Sequence, residues 1–66
     1  MKDLGERLRQ LRKEKRWTQD KMAKRLTIHR TTYTKYERGD VNPPLEILCD
    51  LADILECTTD TLLGRE

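Results

Sequence analysis

The sequence predicts an all-α fold of five helices, and three observations predict it. Apolar residues recur at helical spacing along most of the chain, as in Leu4, Leu8 and Leu11, or Leu45, Leu48, Leu51, Ala52 and Leu55. No segment alternates apolar and polar residues as a half-buried strand does. The only prolines are adjacent, Pro43 and Pro44, so none interrupts a helix before them. The 66 residues are expected to form one domain over 1–66. A chain this short buries only about 60% of its unfolded surface, so its few large apolar residues must pack well.

The elements follow in order. Leu4, Leu8 and Leu11 mark helix 1 over roughly Leu4–Lys15, with Asp3 as a reasonable N-cap. Asp3 and Glu6 suit the positive end of its dipole. Thr18 is expected to cap helix 2, which runs to about Leu26 and buries Met22, Ala23 and Leu26. Ala23 stands where a neighbouring helix would cross, and a small side chain permits close approach. Thr27 and Ile28 form the turn into helix 3, about Arg30–Arg38, with His29 at its capping position. Tyr33 and Tyr36 continue the apolar face, and Gly39 ends the helix as glycine often does. Asp40 to Pro44 is a loop. Leu45, Leu48, Leu51, Ala52 and Leu55 give helix 4. Thr58 or Thr59 caps a short helix 5 that places Leu62 in the core.

Charge narrows the function. The net charge is only +2, but its distribution is uneven. Residues 1–39 hold 13 Lys and Arg against 5 Asp and Glu, +8; residues 40–66 hold 1 against 7, −6. Such asymmetry suggests one electropositive side that meets a polyanion. On helix 3 the face opposite the tyrosines carries Arg30, Thr31, Thr34 and Lys35, a basic, hydrogen-bonding surface that would fit a DNA major groove.

Other classes find little support. No apolar run approaches the ~18 residues of a membrane span, and the charged start Met1 to Glu6 does not read as a signal peptide. Two cysteines, Cys49 and Cys57, are too few for a disulfide scaffold, so reducing cytoplasm is the expected compartment. With His29 they are the only soft metal ligands, and no Cys-x-x-Cys or His-x-x-x-His spacing occurs; no metal or cofactor is expected. One histidine, no serine and no glycine-rich phosphate loop leave nothing from which to build a nucleophile and base, so an enzyme is not expected. Trp17 and the tyrosines are read as core residues.

The pattern resembles the XRE-type helix-turn-helix family, the DNA-binding domains of phage Cro and phage repressor proteins. The residues that carry the resemblance are Leu8, Leu11, Arg12, Trp17 to Gln19, Met22, Ala23, Leu26 to Ile28, Arg30, Lys35 to Gly39, Asn42, Pro43, Leu45, Leu48, Leu51, Ala52, Leu55 and Asp60 to Leu63. It spans nearly the whole chain, with the helix-turn-helix at 18–39. It implies a compact five-helix bundle with helix 3 in the major groove and helix 2 across the backbone.

Carried over residue by residue, the resemblance implies that Thr18 and Gln19 meet a phosphate at the start of helix 2. Arg30 and Lys35 would read bases. Thr31 and Thr34 would meet phosphate or a thymine methyl. His29 would touch phosphate or base, and Arg38 would track the backbone. Arg12 and Glu37 match a largely buried ion pair. The implied function is a transcriptional regulator of double-stranded DNA, most simply a repressor acting as a weak homodimer on a palindromic operator. The alternative is an antitoxin-like module whose main task is to bind another protein; a large exposed apolar patch would favour it. Four positions depart from the family: Thr27 and Glu56 stand at usual glycines, His29 at a usual serine or threonine, and Pro44 at a usual capping serine. Thr27 is expected either to be strained or to alter the turn.

Overall fold

In the computed structural model the described residues, 2–65, form α1 Lys2–Glu14, α2 Gln19–Leu26, α3 Arg30–Arg38, α4 Leu45–Ile54 and α5 Thr59–Leu63, with no strand among them. The outer ends of the 1–66 span lie outside these residues. The five expected helices are present, with small shifts at their ends. α1 starts two residues before Leu4, so Asp3 lies within its first turn instead of capping it, where its charge still faces the positive end of the dipole. α1 also stops one residue before Lys15. Thr18 and Thr58 cap α2 and α5, each hydroxyl accepting the backbone N–H of the third residue of the helix.

The core is one cluster. Leu4 and Leu8 of α1, Met22, Ala23 and Leu26 of α2, Tyr33 and Tyr36 of α3, Leu48, Leu51 and Ala52 of α4, Leu55, and Leu62 of α5 are buried together. Leu11, Trp17, Ile28, Ile47, Ile54, Cys57 and Leu63 are half-buried against it. α3 packs on both α1 and α2, α1 also meets α5, and α4 lies against α2 and α5. Each element therefore buries apolar residues on at least one neighbour, as so short a chain requires, but Leu45, expected in the α4 stripe, is 73% exposed at the first position of that helix.

One close approach fixes the position of α3. Gly5 is buried in α1, and a Cβ there would run into the Glu37 backbone carbonyl, with its carbon at 2.8 Å and the Tyr36 carbonyl oxygen at 2.9 Å. The backbones of α1 and α3 meet at that point, and only glycine leaves the space.

All five helices end alike. After each, one backbone N–H bonds three residues back and the next bonds five back, as in Arg16 to Lys13 with Trp17 to Arg12, or Thr27 to Lys24 with Ile28 to Ala23. This ending puts one residue in the left-handed region. Gly39 and Gly64 occupy it without cost, but Arg16, Thr27 and Glu56 do so at φ 61°, 59° and 58°. The Thr27 turn is thus strained and keeps the usual geometry, at about 1–2 kcal/mol for a residue with a Cβ.

Two substitutions separate these constraints. Thr27 is exposed, so Thr27→Gly should raise stability by up to about 1 kcal/mol, after the entropy glycine adds to the unfolded chain. Gly5→Ala should lower stability by about 1–3 kcal/mol, although alanine gains about 1 kcal/mol in helix propensity. Urea midpoints decide; a stabilised Gly5→Ala would show that α1 and α3 do not meet at this point.

Candidate nucleic-acid interface

The exposed side of α3 is set by its buried side. Tyr33, Tyr36 and Glu37 face inward, so Thr31, Lys35 and Arg38 stand on the opposite face at helical spacing, and Thr34 and Arg30 lie on the flank between. Thr34 is half-buried and the other four are exposed. Among the described residues no carboxylate pairs with Arg30 or Lys35, whereas Arg38 Nε lies 3.4 Å from Asp40. His29 stands at the N-cap of α3 without a side-chain hydrogen bond to the helix. Its ring is exposed beside Arg30.

The start of α2 meets this face. Thr18 spends its hydroxyl as an acceptor for the Lys21 N–H at 3.1 Å. Gln19 is held at both ends of its amide: Nε2 donates to Glu37 Oε1 at 3.0 Å, and Oε1 accepts from Thr34 Oγ1 at 2.9 Å. A cleft of about 290 Å³ lies between the two helices, lined by Gln19, Arg30, Thr31 and Thr34. The unpaired N–H groups of the first turn of α2 and its positive dipole end favour an anion nearby. The cleft can receive a phosphate or a polar base edge. A wider concavity of about 530 Å³ lies along Glu6, Arg9, Gln10, Lys13 and Glu14 of α1. One helix supplies its lining and no polar groups converge there from a second element.

Behind the cleft stands an ion pair. Arg12 Nε donates to Glu37 Oε2 at 2.7 Å and Nη2 donates to Oε1 at 3.1 Å, with side chains only 9% and 3% exposed. A third Arg12 bond, Nη1 to the Trp17 carbonyl at 2.7 Å, ties the α1–α2 connection to the pair. Hydrogen bonding to Glu37 raises the Arg12 pKa. Burial pushes the Glu37 carboxyl up, but Arg12 first, and then the nearby Tyr33 hydroxyl and Gln19, outweigh it and its pKa falls below the ordinary value. The Tyr33 hydroxyl is buried beside Glu37, outside good hydrogen-bond geometry, and that burial, followed by the Glu37 carboxylate, pushes its pKa up.

Sequence reasoning missed the surface around Trp17, where Lys15, Lys21 and Arg25 gather on one indole. A spacing of four in Trp17, Lys21 and Arg25 was the available signal.

The fold and this surface define a helix-turn-helix module: two short helices at a tight turn, the second displaying a basic face. A family model described as a helix-turn-helix domain matches residues 3–63, and the chain belongs to that family. The chain is 48% identical over 61 residues to the HTH-type transcriptional regulator AnsR of Bacillus subtilis, across 92% of this chain and 53% of that protein. It is 45% identical over 62 residues to the cryptic phage CTXphi transcriptional repressor RstR of Vibrio cholerae, across 94% and 55%. The HTH-type transcriptional activator BcrR of Enterococcus faecalis is 36% identical over 64 residues, across 97% and 31%. The chain spans about half the length of the first two of these relatives. No solved structure matches it significantly.

The ion pair has two testable consequences. Removing one partner strands a buried charge, so Arg12→Met and Glu37→Gln should each cost about 3–5 kcal/mol, and the double variant less than their sum. Because the Glu37 pKa is lowered by folding, its contribution is present above the unfolded carboxylate value of about 4.3 and lost as pH falls through the folded value. Glu37→Gln should therefore flatten the acid limb of the stability–pH curve. Single variants that each cost under about 0.5 kcal/mol would place the pair at the surface.

Proposed function

We propose that this chain is a sequence-specific, double-stranded DNA-binding transcriptional regulator, acting as a repressor on a palindromic operator. The observation that carries the reading is the joint face of α2 and α3. Arg30 and Lys35 stand unpaired on it, beside a cleft whose Gln19 is already oriented by Thr34 and Glu37. Inserting α3 in the major groove lets the Arg30 fork meet guanine O6 and N7, with Lys35 meeting similar acceptors less directionally. Thr31, and the Thr34 methyl left free by its hydroxyl bond, suit phosphate or a thymine methyl. Thr18, Gln19, His29 and Arg38 hold the backbone around them. Repression is favoured by the likeness to the repressor RstR.

No helix among the described residues is long and apolar enough to cross a membrane, in keeping with a regulator that works beside DNA in the cytoplasm. Among the described residues the large exposed hydrophobics are Val41 and Leu45, a small surface for an antitoxin-like partner.

Duplex binding should weaken steeply with salt, with a slope near −0.9 per phosphate contacted. Arg30→Ala should cost about 1–3 kcal/mol on the preferred site and relax one base position. DNA selected from a random pool, followed by titration of variants, measures both. Absence of duplex binding at low salt would overturn the reading.

Two-fold operator binding also calls for a dimer. Leu63, Ile47 and Ile54 are half-buried and Leu62 is fully committed to the core, so the surface around α5 is small and acidic. A weak dimer completed on DNA is expected: substantial monomer by sedimentation at about micromolar concentration, with cooperative operator titration. A tight dimer at nanomolar concentration without DNA would contradict it.

A further inference from the structure

Trp17 gathers three cations. Lys21 Nζ lies 4.9 Å from the ring centre, the Arg25 guanidinium carbon 5.1 Å and Lys15 Nζ 5.3 Å. Each such contact contributes about 0.5–1 kcal/mol at an exposed site. Two like charges in water repel by about 1 kcal/mol at 4 Å and less beyond, so the ring can hold all three together. Only Lys15 has a carboxylate, Glu56 at 3.6 Å; Lys21 and Arg25 have none among the described residues. The Glu56 contact shows that this surface accepts a carboxylate from the acidic half of the chain.

The cluster is separate from the proposed DNA face. At about 100° per residue, Lys21 and Arg25 stand roughly 120–160° around α2 from Gln19. They point away from the side where Met22, Ala23 and Leu26 meet the core.

A complementary surface exists on α4. Glu46, Asp50 and Asp53 follow at i, i+4 and i+7, all exposed, and none takes part in an ion pair among the described residues. Opposite them Leu48, Leu51 and Ala52 are buried, so the stripe faces outward. A symmetric contact through the acidic half would set like charges together, whereas a head-to-tail contact sets this stripe against the Trp17 cations.

We propose that the Lys15, Lys21 and Arg25 surface around Trp17 is a docking face for a second copy of this chain, and that it receives the Glu46, Asp50 and Asp53 stripe of that copy's α4. The contact is heterologous: each docked copy still offers one free face of each kind, so copies can continue in a row. It is weak alone, being a rim of exposed charges around one half-buried ring, and gains where DNA holds neighbouring copies close. It does not depend on the DNA reading.

Sedimentation of the whole chain without DNA tests it, at roughly 20 mM and roughly 500 mM salt, where screening differs severalfold. At low salt and high concentration the average mass should rise with concentration, and salt should reverse the rise. Lys21→Glu with Arg25→Glu should abolish it, as should Asp50→Lys with Asp53→Lys. A one-to-one mixture of the two variants should restore it, since each then meets its complement in both directions. Circular dichroism checks that both variants fold, and the neutral pairs Lys21→Gln with Arg25→Gln and Asp50→Asn with Asp53→Asn should each weaken association partway. If the mixture fails to associate, or if only the cationic variants lose association, the docking of α4 on Trp17 is wrong. Loss of DNA affinity in the cationic variants with self-association unchanged would make the surface a phosphate contact and also overturn the proposal.

Discussion

The buried pair of Arg12 and Glu37 is the interaction on which the rest depends. It joins α1 to α3 through two hydrogen bonds and reaches the α1–α2 connection through the Trp17 carbonyl. Glu37 then passes the linkage on, because Oε1 also accepts from Gln19, whose own carbonyl accepts from Thr34. One continuous set of bonds thus fixes three helices and the entrance to the basic cleft. Burying such a pair is costly in itself, and a well-packed apolar substitute can equal it in stability. Its value here lies in direction. Leucines at the same positions could hold α1 to α3, but nothing apolar could orient the Gln19 amide.

The close approach at Gly5 works in the same place. Where the α1 backbone meets the Tyr36 and Glu37 carbonyls, the helices are near enough for a side chain seven residues further along α1 to reach Glu37. An extra Cβ would push α3 outward and lengthen bonds that now measure 2.7 and 3.1 Å. Packing and polar geometry are therefore one constraint, and the pair would lose its alignment before the apolar core lost much contact.

Much of the fold was legible because local signals agreed. The stripes of Leu45 to Leu55 and Leu4 to Leu11, the caps Thr18 and Thr58, the glycine after α3 and the paired prolines all mark elements within a few residues. The end of α1 was less legible: Arg16 closes it in a left-handed conformation that its identity does not advertise. The Arg12–Glu37 pair is 25 residues apart in sequence, and no periodicity links the two; only the resemblance pointed there. The face of α3 could be read from helical spacing, since burying Tyr33 and Tyr36 leaves Thr31, Thr34 and Lys35 on the other side and Arg30 at its edge. The bond from Thr34 to Gln19 could not be read, because it depends on the crossing of α2 and α3. Nor could Gly5, which reads as a helix weakener until the neighbouring backbone is in view.

Sharing Glu37 between stability and the cleft has a cost in independence. Its carboxylate accepts two bonds from Arg12 and one from Gln19, so any change that protonates or removes it loosens the core and the cleft together. What the pair secures is a single orientation for Gln19 and Thr34 before any ligand arrives, and a preoriented polar group loses less freedom on binding than a free one. Arg30 and Lys35, by contrast, pair with no carboxylate among the described residues. The cleft therefore combines a hydrogen-bonded floor with unpaired cations above it.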